Sequence, residues 1–269
     1  MGRRFVVWTI PAALIASVAA HGQAPIEDSR LRPAPERATS GVLVYEFGNW
    51  DAGPSLEGVV IRPAGEGRWP AVVVNHGATN QPMDKALQIG PQLARRGCVT
   101  VAPRYSFSGP RPGDPPGTRR ARDTEADVRR CVGAARFARS LPFVDGARVG
   151  VAGISAGGFL IVRALQGKHP FVAAVVVSAG LSKTPDPGSP LDAVRVPVLT
   201  IVGTADTVIA PAYGERLDAA LRRAGGVSRL IRYADAPHDL FEWDGVRIAN
   251  DIADWMEAES PAPHQGARR

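Results

Sequence analysis

The chain is poor in cysteine, histidine and aromatic residues: two Cys, five His and 6% aromatics among 269 residues. Two cysteines exclude a disulfide framework and a thiolate-based metal centre. The one long apolar stretch lies near the N-terminus, and no other run approaches the length that spans a bilayer, which excludes a polytopic membrane protein. Neither a Gly-X-Y period nor sustained heptads occur, so collagen-like and coiled-coil architectures are excluded as well. What the chain has in excess is glycine and proline, 29 and 24 residues, about a fifth of the total. That share stays below the ~25–30% of low-complexity chains and points to many tight turns. Hydrophobic residues at 45% and charged residues at 22% suit a soluble domain with a full core.

The N-terminus reads Met1-Gly-Arg-Arg, followed by the apolar run from Phe5 to Ala20 and then small residues, with Ala20, Gly22 and Ala24 as candidate cleavage positions. A positive segment, an apolar segment and a small-residue segment make the pattern of a secretory signal peptide. We therefore expect residues 1–24 to be a signal peptide, with the mature protein secreted or periplasmic and without stable membrane association. A spanning anchor needs ~20 apolar residues, more than this run supplies. Loss of Arg3 and Arg4 takes the formal net charge from +6 to +4, so part of the basic excess is addressing information. In an exported chain Cys98 and Cys131 could pair; placed at a strand start and inside a helix, they read equally as small buried apolar side chains.

Residues 25–40 are Pro-rich and polar and read as a linker; 260–269 read as a disordered tail. Between them a catalytic-size domain, 41–259, alternates strands and helices. Strands are expected at 42–47, 57–62, 70–75, 98–102, 148–152, 172–178, 197–203 and 229–233, and helices at 83–96, 122–140, 156–166, 211–224 and 244–258. Gly90-Pro91 suggests a kink in the first helix. The middle strands are continuously apolar and β-branched, as strands covered on both faces are. The expected fold class is therefore α/β, a mostly parallel eight-stranded sheet with helices on both faces.

Residues 148–158 read RVGVAGISAGG. Gly153-Ile154-Ser155-Ala156-Gly157 fits G-x-S-x-G directly after a strand and before a helix, the context a nucleophile turn requires. Glycines two residues either side of the serine leave room for a sharp, strained bend. The helix behind it aims its free N–H groups at the same spot. A serine needs a base held by an acid, and on such a site these follow in the order Ser, Asp/Glu, His. Three histidines follow Ser155. His169 borders a helix end, His264 lies in the tail, and His238 sits in a loop after the last strand, where the base belongs. Asp206, three residues past strand 197–203, is the acid candidate. The oxyanion hole would use the Ala156 N–H and a second N–H from Gly77 or Ala78, with Ala78 favoured. His76, ahead of the serine in sequence, is assigned a structural role in that loop.

The segments N-H-G-A (75–78), G-C-V-T-V-A-P-R-Y (97–105), G-I-S-A-G-G (153–158), V-G-T-A-D (202–206) and P-H-D-L-F (237–241) resemble those of the α/β-hydrolase superfamily. The similarity covers about residues 42–258 and is greatest to the branch of dienelactone hydrolases and prolyl-oligopeptidase catalytic domains. The resemblance implies an α/β-hydrolase fold and a serine hydrolase of carboxylic esters, acting through a Ser155-His238-Asp206 triad and an acyl-enzyme. Serine stands where dienelactone hydrolases proper carry cysteine. No propeller domain is expected before residue 42, which argues against a size-gated oligopeptidase.

Only about 18 residues, three of them proline, separate strands 172–178 and 197–203, too few for a lid domain. The loop 104–121, rich in Pro and Arg, leaves a strand end beside the expected site, with Arg104 and Tyr105 as candidate pocket lining. A peptidase or acyltransferase on the same scaffold is the alternative chemistry. A non-catalytic binding protein is the alternative of another class; the presence of all three triad members weighs against it. The stretch 119–130 is interleaved with acids and reads as a solvated helix face rather than a nucleic-acid surface. The expected partner is a small ester substrate, with no cofactor and no metal; the oligomeric state is left open.

Overall fold

The computed structural model describes residue 28 and residues 30–50, 56–78, 82–106, 124–185 and 188–261. The expected signal peptide, most of the Arg-rich loop and the end of the tail lie outside the described residues. Nine strands are described: β1 (Leu31–Pro33), β2 (Val42–Trp50), β3 (Leu56–Pro63), β4 (Trp69–Asn75), β5 (Val99–Pro103), β6 (Val144–Ile154), β7 (Ala174–Val177), β8 (Val198–Gly203) and β9 (Ser228–Tyr233). They form one open sheet in the order β1-β2-β3-β5-β4-β6-β7-β8-β9. Strands β1 to β3 pair antiparallel, and β3 is antiparallel to β5. From β5 to β9 every pairing is parallel.

Five helices accompany the sheet: α1 (Pro82–Arg95), α2 (Thr124–Ser140), α3 (Ala156–Ala164), α4 (Ala212–Arg223) and α5 (Leu240–Glu259). The strand period of two sends alternate side chains into separate layers. Val73, Val101, Val151 and Val176 pack with Phe137, Ile161, Leu217 and Leu221 of α2, α3 and α4, and with Leu141 just past α2. Val72, Val74, Val175 and Leu199 pack on the other face with Ile89, Leu93, Ile248 and Ile252 of α1 and α5. Continuous apolar strands are the sequence consequence of this double cover.

The sheet has nine strands rather than the expected eight. The additional one, β1, comes from the segment expected to be linker: Leu31 pairs with Phe47, Arg32 with Glu46 and Pro33 with Tyr45. Pro33 cannot donate to a ladder, which an edge strand tolerates. Leu31 and Ala34 are buried, a placement that local composition does not reveal. Helix α1 continues through Gly90-Pro91 as one element. Close packing on β3 favours Gly90 there, since a β-carbon would lie 2.3 Å from Ile61 Cδ1 and 3.1 Å from Ile61 Cβ. Helix α5 begins earlier than expected, at Leu240, and breaks at Asp244 (φ −156°, ψ 74°).

Between β7 and β8 the described residues hold one short 3-10 helix, Pro190–Ala193, and no lid domain. Cys98 and Cys131 are both unpaired and buried. No helix among the described residues is long and apolar enough to cross a membrane.

Phe137 is fully buried, its ring centroid 4.8 Å from that of Phe47, so it joins α2 to the antiparallel end of the sheet. Phe137→Ala should lower unfolding free energy by about 3–5 kcal/mol, read by urea denaturation with an unchanged slope.

Candidate active site

Three loops at the carboxyl edge of the parallel sheet bring together residues distant in sequence. Ser155 follows β6, Asp206 follows β8 and His238 follows β9. Ser155 has φ 51° and ψ −115°, a strained conformation for a non-glycine residue. Two glycines make that bend possible. A β-carbon on Gly153 would lie 2.3 Å from the Gly157 carbonyl oxygen, and one on Gly157 would lie 2.2 Å from the Asn75 carbonyl oxygen. The turn is thereby pressed against the end of β4, and α3 starts immediately behind it with Ala156 at its first position.

His238 bridges the other two side chains. Its Nδ1 lies 2.7 Å from Asp206 Oδ2 and its Nε2 lies 3.1 Å from Ser155 Oγ. A carboxylate only accepts, so Nδ1 carries the proton and Nε2 is left to accept from the serine hydroxyl. The Asp206 side chain is almost fully buried, whereas that of His238 is 23% exposed. Asp206 Oδ1 accepts from the backbone N–H groups of Val208 and Ile209, each at 2.8 Å. Both oxygens are therefore engaged, and the carboxylate has one orientation in which to meet the imidazole.

The loop after β4 faces the serine from the other side. A β-carbon on Gly77 would stand 3.3 Å from Ser155 Cβ, a tight contact that glycine avoids. His76 is buried and its Nδ1 donates to the Gly77 carbonyl at 2.7 Å. In a planar trans peptide C=O and N–H point opposite ways. Holding the Gly77 carbonyl toward His76 thus turns the Ala78 N–H away from that ring. Burial drives the His76 pKa down to about 4, with a contribution from the Arg104 cation, so the ring stays neutral. Below it, Asn75 donates to the carbonyls of Val73 (3.1 Å) and Ala152 (2.8 Å), tying β4 to β6, and accepts from the Tyr105 hydroxyl.

Tyr105 is therefore a core residue, with burial and Cys131 raising its pKa, rather than the pocket-lining side chain expected. Arg104 is partly exposed and lies 3.7 Å from Glu57. Both border a cavity of about 200 Å³ together with Arg37, Glu46 and Phe47. His169 lies apart from these residues, its ring stacked on that of Phe171 with centroids 5.5 Å apart. Burial pushes both thiols up to about 12. Among the described residues no group of three or more His, Cys, Asp or Glu is placed to hold a metal.

Sequence reading did not single out Lys85, whose ammonium meets Asp239 at 2.6 Å beside His238. The partners are 154 residues apart, and no local motif marks such a pair.

An open parallel sheet with a strained serine between strand and helix defines the α/β-hydrolase class. The model of the dienelactone hydrolase family matches residues 56–255; the chain belongs to that family and is a hydrolase acting on ester bonds. Solved structures share the fold. A cold-adapted esterase from an Arctic intertidal metagenomic library superposes with TM-score 0.65 at 17% identity, over 87% of this chain and 99% of that one. A protein described as a putative dienelactone hydrolase from Klebsiella pneumoniae gives 0.64 at 20%, over 80% and 98%. A puromycin-hydrolyzing peptidase from Mycobacterium tuberculosis gives 0.64 at 22%, over 83% of this chain and 40% of that one. No curated protein matches the chain in sequence.

The buried neutral His76 has a consequence for stability. Its folded pKa is depressed from 6.5 to about 4, so unfolded chains bind its proton first as pH falls. Its contribution is complete above about 6.5 and is lost progressively down to about 4. Thermal unfolding from pH 7.5 to 4 should therefore fall less steeply in His76→Gln than in the parent.

Proposed function

We propose that the protein is a serine carboxylesterase for small or medium acyl groups, with Ser155 as nucleophile, His238 as general base and Asp206 as its orienting acid. The observation that carries this reading is His238, set between Ser155 Oγ and Asp206 Oδ2 by loops from three separate strands. The hydroxyl attacks the ester carbonyl as its proton passes to Nε2; the imidazolium is stabilised by Asp206 and returns the proton to the departing alcohol. Water activated by the same Nε2 then attacks the acyl-enzyme and releases the acid. The oxyanion is received by the N–H of Ala156, at the start of α3 where the helix dipole favours negative charge, and by that of Ala78.

Neither cysteine is available as an alternative nucleophile. Both are buried, and a thiol that ionises only near 12 supplies almost no thiolate at neutral pH. Among the described residues between β7 and β8 there is only the short 3-10 helix Pro190–Ala193, which supports a comparatively open site.

A fluorophosphonate probe should label the protein covalently, and the label should vanish in Ser155→Ala. His238→Ala should lose activity by at least ~10³-fold, whereas His169→Ala retains it. Activated esters of graded acyl length, run beside a peptide amide, measure the acyl pocket; turnover of the amide at rates matching the esters would replace the esterase reading with a peptidase one.

We also propose export, supported by the signal-like order of residues 1–24. Intact mass of protein recovered from the periplasm or medium should show cleavage near residues 20–24; retention of Met1 on the soluble product would overturn it.

A further inference from the structure

We propose that Ser178 is a positioning residue that sets the distance between nucleophile and base, a role that rests on reading Ser155 and His238 as that pair. Ser178 directly follows β7, the strand between those of Ser155 and Asp206. It is 1% exposed and has φ 50°, one of three described non-glycine residues with positive φ. Its hydroxyl donates to the backbone carbonyl of His238 at 2.8 Å, across 60 residues of sequence.

The residue before it holds the nucleophile. The Ser155 N–H donates to the Val177 carbonyl at 2.9 Å, and the Ser178 N–H donates to the Ile201 carbonyl of β8 at 2.9 Å. Two consecutive residues of one strand end therefore grip the backbone of Ser155, the backbone of His238 and the strand that carries Asp206. Other ties of the His238 loop run elsewhere. Ala205 N–H bonds to the Ala236 carbonyl, and the Asp235 N–H bonds to Thr204 Oγ1, both on the acid side. Lys85 holds Asp239 from α1. The His238 carbonyl itself accepts one further bond, from the Leu240 N–H at 3.1 Å, which is local to the loop. Among the described residues the Ser178 hydroxyl is thus the link from the base's own backbone to the strand that holds the nucleophile.

A positive φ at a buried position is where glycine is favoured. A serine kept there carries strain that the hydroxyl contact explains. This separates two roles experimentally. If Ser178 merely built the turn, Ser178→Gly would be harmless or stabilising. If its hydroxyl positions His238, the same change releases the base and slows the chemical step.

The test measures kcat and KM on a soluble ester, the rate of fluorophosphonate labelling and the thermal midpoint for Ser178→Gly, Ser178→Ala and His238→Ala. Active sites are counted by probe titration. We expect kcat per titrated site to fall about 10- to 100-fold in both Ser178 variants, the scale of a small misplacement of a catalytic group. KM should stay within about twofold, labelling should slow in parallel with kcat, and the Ser178→Gly midpoint should match or exceed the parent. Full kcat per site in Ser178→Gly overturns the proposal, as does a loss confined to Ser178→Ala, which would trace to backbone strain alone. Retained activity in His238→Ala would instead sink the assignment of the base. An inactive His238→Ala beside a fully active Ser178→Gly leaves that assignment standing and removes only the role of Ser178.

Discussion

The end of β4 and the start of α3 approach so closely that no β-carbon fits between them. Gly157 meets the carbonyl oxygens of Asn75 and His76, and Gly77 in turn lies against Ser155. The bend at Ser155 and the approach of the β4 loop follow from this contact. It forces the serine onto a bend with positive φ, leaves the first N–H groups of α3 facing outward, and brings the β4 loop within reach of the same point. In the proposed mechanism an N–H pair held rigidly in place needs no reorganisation as charge develops on a substrate oxygen, and such preorganisation is a large share of what a hydrolase site supplies.

The polar layer beneath this contact is buried and well connected. Asn75 bonds to β4 and β6 carbonyls and to Tyr105; His76 bonds to Gly77; Asp206 bonds to two backbone N–H groups and to His238. Buried polar groups are costly unless satisfied, and satisfied ones permit few alternative geometries. The core therefore does two jobs with different materials. Apolar packing on both faces of the sheet provides the stability, while a thin polar stratum at the strand ends specifies where three side chains stand.

The strained turn at Ser155 was legible in sequence because its constraint is local: five residues, two of them glycine, between a β-branched strand and a helix. His238 and Asp206 were legible for a related reason, since few histidines and carboxylates follow Ser155 in loops at strand ends. Among the eight longer strands the middle ones were marked by uninterrupted apolar runs. The short strand β1 was not, because three residues including a proline carry no periodicity, and its pairing with β2 depends on a partner formed elsewhere. The position of Tyr105 was misjudged for the converse reason: it leaves a strand end beside the site, but its ring turns inward to Asn75, a direction set by tertiary packing.

By itself, then, the sequence determined the fold class, the order of the longer elements and which serine, aspartate and histidine stand at neighbouring strand ends, because each is written in residue type and short-range spacing. Only the tertiary structure decided what holds them at reacting distance. The Ser178 hydroxyl and the His238 carbonyl, or the Lys85 ammonium and Asp239, are joined across 60 and 154 residues. Such contacts follow from which strands lie side by side and in what register, and no local stretch of the chain encodes that.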